Sequence, residues 1–229
     1  MRRLTFWLGV PEPSWLSRCA VPLFVSDTRL RTRKRLPVAC GPWALDSGGF
    51  TQLRDHGAWT IGPDEYVDRV RRYQREIGGL VWAAPQDWMC EPWMVDKTGL
   101  SVAEHQARTV ENYLALREAA PELPFIPVIQ GWVLSDYVAC VQRYADAGVD
   151  LKTEPLVGLG SVCRRQNTGE ISALITEIAG MGLSLHGFGV KTEGLGAYGY
   201  YLASADSMSW SFEARRQQIR LPGHAHLNC

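Results

Sequence analysis

Eight short apolar runs, each bounded by glycine, proline or polar residues, constrain this chain more than any other feature. They are Thr5 to Val10, Pro22 to Val25, Trp43 to Leu45, Leu80 to Ala84, Phe125 to Ile129, Leu156 to Leu159, Leu183 to Val190 and Leu202 to Ala205. Their apolarity is continuous rather than alternating, which marks strands buried on both faces, as in parallel sheets covered by helices. Helical periods separate the later runs. Asp64 to Ile77 sets Tyr66, Val70, Tyr73 and Ile77 on one face, behind a Pro63 suited to the first turn. Ser101 and Glu104 make a capping-box signature that opens a helix to about Glu118. Leu134, Tyr137, Val138, Val141 and Tyr144 mark the next helix, ended by Gly148. Ile171, Leu174, Ile175 and Ile178 mark another, ended near Gly180 or Gly182, and a last one begins near Trp210.

Strands alternating with helices predict an α/β fold, a compact (β/α)8 TIM-like barrel in a single domain over residues 1–229. It is smaller than the roughly 250 residues typical of such barrels. The first half is expected to be irregular, because no convincing helix separates the early runs. A doubly wound open sheet is the main competitor.

Composition narrows the function classes. Charges balance at 24 Lys+Arg against 24 Asp+Glu, and 46% of residues are hydrophobic, which excludes a disordered chain or a basic-tailed nucleic-acid protein. A local basic run, Arg29, Arg31, Arg33, Lys34 and Arg35, still offers a patch for a polyanion, or is simply a solvated loop. Six irregularly spaced cysteines without a C-x-x-C pair fit reduced thiols in a cytoplasm. Met1-Arg2-Arg3 followed by Leu4 to Val10 and Pro11 reads as a first strand rather than a signal peptide. No run approaches membrane-span length.

The polar residues cluster after the runs. Asp46-Ser47-Gly48-Gly49-Phe50 follows the third, Asp87 through Glu91 the fourth, Gln130-Gly131-Trp132 the fifth, and Gly158-Leu159-Gly160-Ser161 closes the sixth. His186-Gly187-Phe188-Gly189 and Asp206-Ser207 lie in and after the last two. In a barrel these ends converge on one rim, where active sites lie. Each piece alone has a bland reading: Asp46 as a turn-holder, Asp87 as a turn cap, His186 as a satisfied core histidine.

As an ordered set, these segments resemble the tRNA-guanine transglycosylase superfamily, and most nearly its 7-deazaguanine DNA-modifying branch. Asp46-Ser47-Gly48-Gly49-Phe50, Val128-Ile129-Gln130-Gly131, Gly158-Leu159-Gly160, Gly187-Phe188-Gly189-Val190 and Asp206-Ser207-Met208-Ser209-Trp210 are similar to its motifs, in the family's order. The resemblance implies an enzyme that cleaves and remakes an N-glycosidic bond in nucleic acid. Asp206 would be the nucleophile and Asp46 the general acid/base. Asp87, Gln130, Gly160 and Ser161 would bind the base, with Trp88, Trp93 or Trp132 stacking on it. Arg164, Arg165, Arg33 and Arg35 would contact phosphates, as would Arg215 and Arg216.

The zinc-binding Cys-x-Cys-x-x-Cys of tRNA-dependent members is absent from the sequence, so DNA is favoured over tRNA and neither metal nor cofactor is expected. His224, His226 and Cys229 carry metal-ligand chemistry but read better as a frayed terminus. The implied partners are DNA and a free 7-deazaguanine-type base, with no membrane, and with a homodimer by analogy to family members. Exchange of a base is the leading reading. Excision to an abasic site, a non-catalytic nucleic-acid-binding barrel and a sugar-phosphate enzyme are the alternatives.

Overall fold

The structure, a computed structural model, describes residues 4–163, 165 and 169–218. Arg164, His224, His226 and Cys229 lie outside the described residues. Each predicted run yields a parallel strand: β1 (Thr5–Gly9), β2 (Leu23–Ser26), β3 (Trp43–Asp46), β4 (Leu80–Ala83), β5 (Val128–Ile129), β6 (Val157–Leu159), β7 (Leu185–Gly187) and β8 (Ser204–Ser207). The sheet order is β4-β3-β2-β1-β8-β7-β6-β5. Its two edges meet at a bridge between Ala83 and Phe125, with Ala83 N–H donating to Pro124 O at 2.9 Å and Ile126 N–H to Ala83 O at 3.1 Å. The order therefore runs round a ring without the reversal that defines a doubly wound sheet. The fold is an irregular (β/α)8 TIM-like barrel.

The strands are shorter than the apolar runs in places. Pro127 offers no N–H to a ladder, and β5 begins only after it. The run from Leu183 to Val190 is strand only to Gly187, since Gly189 turns the chain at φ +64°. Asp46 and Asp206 stand inside β3 and β8 rather than after them.

The helices are α1 (Asp27–Leu30), α2 (Gly49–His56), α3 (Pro63–Glu76), α4 (Pro92–Thr98), α5 (Val102–Ala119), α6 (Leu134–Asp146), α7 (Gly169–Gly180), α8 (Thr192–Tyr198) and α9 (Ser209–Arg216). The irregular first half is borne out. Only a 3₁₀ turn, Pro13–Ser17, links β1 to β2, and α1 is one turn long. The predicted capping box of α5 forms, with Glu104 N–H donating to Ser101 Oγ and Ser101 N–H to Glu104 Oε2. The helices α1, α2, α4 and α8 are too short to announce themselves by apolar period.

Two apolar layers result, beside a small cluster of Leu53, Trp88 and Met94. The lumen holds Trp7, Ala44, Trp82, Ala84 and Ile126, joined by Phe24, Leu156 and Phe188. Trp7 and Trp82 meet edge-to-face at 5.7 Å. The larger layer lies between sheet and helices and includes Val25, Leu45, Tyr73, Val110 and Ile175. Among the described residues no helix is long and apolar enough to cross a membrane.

Candidate active site

The C-terminal ends of the strands surround a cavity of about 320 Å³. Asp46, Asp87, Gln130, Gly160, Ser161 and Asp206 all line it. Residues up to 160 positions apart in sequence thus share one wall because parallel strands start and stop together.

Asp46 ends β3 beside Ser26, its register partner on β2. Gly48, at φ +78°, caps α2 and donates its N–H to Asp46 Oδ1 at 3.2 Å. The Asp-Ser-Gly-Gly turn therefore does both things weighed for it: it folds the backbone back and aims a half-buried carboxyl at the cavity. Burial pushes that carboxyl above its ordinary range. The hydrogen bonds from Ser26 and Gly48 oppose the shift, and the charges of Asp206 and Asp27 add to it. Asp206 stands across the cavity, buried, with Oδ1 accepting from Gly189 N–H at 2.9 Å. Its strand neighbour on β1 is Trp7.

Asp87 sits in the loop after β4, which the helices hold from outside. Tyr66 of α3 donates to Ala84 O at 2.8 Å, Asn112 of α5 to Gln86 O at 2.7 Å, and Thr109 Oγ1 accepts from Trp88 N–H at 2.9 Å. His105 Nδ1 lies 2.6 Å from Met89 O. Burial raises Asp87 to about 7, helped by the charges of Asp46 and Glu91, while its hydrogen bond from Gln130 pulls the other way.

Gln130, Ser161 and Glu91 complete a buried polar row. Gln130 Nε2 donates to Asp87 Oδ2 at 2.6 Å, and its Oε1 accepts from Ser161 Oγ at 2.7 Å. Ser161 Oγ also lies 3.2 Å from Glu91 Oε2 and accepts from Cys90 N–H at 2.8 Å. Ser161 adopts φ +56°, the left-handed region that non-glycine residues avoid, and such strain concentrates at functional sites. Gly160 packs on the Gln130 amide so closely that a Cβ would overlap it. The Gly160 amide itself donates to Ile129 O at 3.0 Å.

The structure does not bring the predicted tryptophans to the cavity. Trp88 is buried with Leu53 and Met94, under the Arg108 guanidinium at 4.7 Å. Trp132 lies beneath the Arg165 guanidinium at 4.1 Å, and its carbonyl accepts from Arg165 Nη1. Trp93, at the start of α4, meets Phe50 edge-to-face at 5.7 Å. The rings that do line the wall are Phe24, Phe50 and Phe188, with Met89. Arg33 pairs with Glu12 at 3.0 Å, and neither it nor the exposed Arg35 reaches the cavity. Sequence reasoning missed Glu91 and the phenylalanine pair Phe24 and Phe188. Phe188 was legible only as part of a glycine motif, and Glu91 only as the end of the polar segment after the fourth run. Cys19, Cys40, Cys90 and Cys140 are free thiols.

A family model described as "DpdA: DeoxyPurine in DNA protein A" matches residues 1–229. The chain belongs to the DpdA family. No curated protein matches it. DpdA is the 7-deazaguanine DNA-modification family of the transglycosylase superfamily, as the ordered motifs implied. Membership makes the chain an enzyme that acts on N-glycosyl bonds of DNA by base exchange, in keeping with 7-deazaguanine modification. For a DpdA barrel the cavity has the scale and lining expected of a pocket for one extruded base: aromatic walls and a few convergent polar groups.

Proposed function

We propose that Asp206 is the nucleophile and Asp46 the general acid/base of this exchange, with Asp87 and Gln130 reading the base. The observation that carries the reading is the convergence of three aspartates, from β3, β8 and the loop after β4, on one aromatic-walled cavity.

The chemistry follows from the environments. Asp206 Oδ1 is held by Gly189 N–H, so Oδ2 attacks C1′ of the flipped nucleotide. A bond forms between Oδ2 and C1′ as the bond from C1′ to the purine nitrogen breaks. Burial favours the protonated form of Asp46, the form that passes a proton to the departing nitrogen. The incoming 7-deazaguanine gives its ring proton to the Asp46 carboxylate and attacks C1′, releasing Asp206. Two displacements retain the anomeric configuration. Asp87 accepts hydrogen bonds from the base's N–H edge, and Phe24, Phe50 and Phe188 cover its faces. Arg165, fixed on Trp132, together with Arg33 and Arg35, takes phosphates at the periphery. Arg164, outside the described residues, belongs to the same proposal from its sequence position alone. The zinc-free single-domain barrel, and a homodimer of it, are part of the same reading.

The test incubates the full chain with duplex DNA, single-stranded DNA and tRNA, with and without labelled 7-deazaguanine, and scores nucleosides by mass spectrometry. Label entering DNA only when the base is supplied, and lost in Asp206→Asn, supports exchange through Asp206. Base release leaving abasic sites, without incorporation, makes water the acceptor. An Asp206→Asn protein as active as the wild type removes Asp206 from the chemistry.

A further inference from the structure

Among the described residues one imidazole lies in the barrel lumen, and it stands directly behind Asp206. His186 of β7 is fully buried. Its Nδ1 lies 2.8 Å from Ser204 Oγ, and its Nε2 lies 3.3 Å from Asp206 Oδ1, off the alignment of a full hydrogen bond. Ser204 and Asp206 both belong to β8 and, two residues apart, face the same side of the sheet. Both therefore meet the lumen-facing ring from the neighbouring strand. Aromatic rings hold the imidazole in place: Trp82 at 4.6 Å, Phe188 at 4.7 Å and Phe24 at 5.9 Å.

We propose that His186 is the positioning residue of Asp206, anchored by Ser204 at Nδ1 and carrying its hydrogen on Nε2, the nitrogen beside Oδ1. The inference rests on the reading of Asp206 as nucleophile. The tautomer follows from the partners. A serine hydroxyl satisfies Nδ1 either as donor or as acceptor, but a carboxylate facing Nε2 requires a hydrogen there. The alternative sets a nitrogen lone pair against a carboxylate oxygen at a buried, aromatic-walled position, a costly arrangement. With Gly189 N–H donating to Oδ1 and His186 Nε2 beside the same oxygen, Oδ1 is the held atom and Oδ2 is the one left to face C1′. Contacts of this kind are often long in the free enzyme and tighten as charge develops in the complex. Here the carboxylate returns as a leaving group in the second displacement, and the N–H stabilises its recovered charge. His186 does not itself line the cavity.

Two measurements test this. In the first, the full chain labelled with ¹⁵N-histidine is observed by long-range ¹H–¹⁵N NMR, with His186→Gln assigning the ring. The expected result is an Nε2–H tautomer whose signals move in Asp206→Asn and whose tautomer ratio shifts in Ser204→Ala. An Nδ1–H tautomer, or a ring indifferent to Asp206→Asn, overturns the proposal, and this readout needs no turnover. In the second, exchange of labelled 7-deazaguanine into DNA is followed kinetically. His186→Leu is expected to lower kcat by roughly 100-fold, the scale of a misplaced reacting group, with KM for the base unchanged. His186→Gln, whose amide N–H reaches toward the same oxygen, is expected to recover most of that loss. Equal losses in Leu and Gln variants with wild-type melting temperatures would reduce His186 to packing. Wild-type kcat in His186→Leu alongside an inactive Asp206→Asn would overturn the positioning role alone. An active Asp206→Asn would instead overturn the nucleophile reading beneath it.

Discussion

The side-chain amide of Gln130 donates to Asp87 Oδ2 across 2.6 Å, tying the end of β5 to the loop that follows β4. The bond fixes the carboxyl plane and uses one oxygen. Oδ1 faces Gly49, where a Cβ would come within 3.2 Å. Asp87→Asn keeps the shape but replaces an acceptor with a donor. Loss of a charge-assisted pair costs about 1.5–3 kcal/mol. Calorimetry with free 7-deazaguanine should show at least roughly tenfold weaker binding, since about 1.4 kcal/mol is a factor of ten. Duplex DNA affinity, measured separately, should not change.

Acidity gives two opposed trends. In the folded chain Asp87 holds its proton to about 7, whereas an unfolded aspartate loses it near about 3.9. Between those values the native state binds more protons, so stability falls as pH rises through the window. Asp46 and Asp27, both also raised chiefly by burial, have the same sign. Thermal melts should therefore peak on the acid side of neutrality and decline toward pH 8, with Asp87→Asn flattening the decline. Base affinity should move the other way, strengthening through pH 7 as the carboxylate forms. A melting temperature that climbs steadily from pH 5 to 8 would contradict the assignment.

Gly160 is where a single methyl should separate binding from folding. Its Cβ would fall on the Gln130 amide, which must then leave Asp87 or Ser161. Overpacking of this kind typically costs about 1–3 kcal/mol. Gly160→Ala should fold, melt a few degrees lower, and raise KM for the base far more than it lowers kcat.

Asp27 tests the scaffold apart from the chemistry. It is buried on α1, accepts from Tyr73 Oη at 2.7 Å and pairs with Arg69 at 3.0 Å. Tyr73→Phe strips one bond from a buried carboxyl, a loss of about 1–3 kcal/mol. Denaturant unfolding should show that loss, with kcat intact. A wild-type midpoint would mean that Arg69 and Arg31 satisfy the carboxyl without the tyrosine.

Much of the barrel was legible because its signals are local. A strand buried on both faces must be apolar throughout, so eight runs read directly as eight strands. Ser101 and Glu104 satisfy each other's backbone within one turn, so the start of α5 could be read to the residue. Asp46, Asp87, Gln130 and Asp206 stood at run ends, and in a parallel barrel all run ends share a rim. The tryptophans show the limit. Trp88 and Trp132 occupy the right loops, but α5 and Arg165 take their rings, and Phe24 and Phe188 line the wall instead.

The order of apolar runs and helical periods determined, by itself, a parallel α/β fold, because each depends on residues close in the chain, and the resemblance of the ordered strand-end motifs pointed to the family. Closure of the ring at Ala83 and Phe125, the placement of β8 between β1 and β7, and with it the contact of His186 with Asp206, were decided only by tertiary structure. These are set by which strands become neighbours and which way each side chain points between them. Such relations belong to packing across the barrel, and no local pattern carries them.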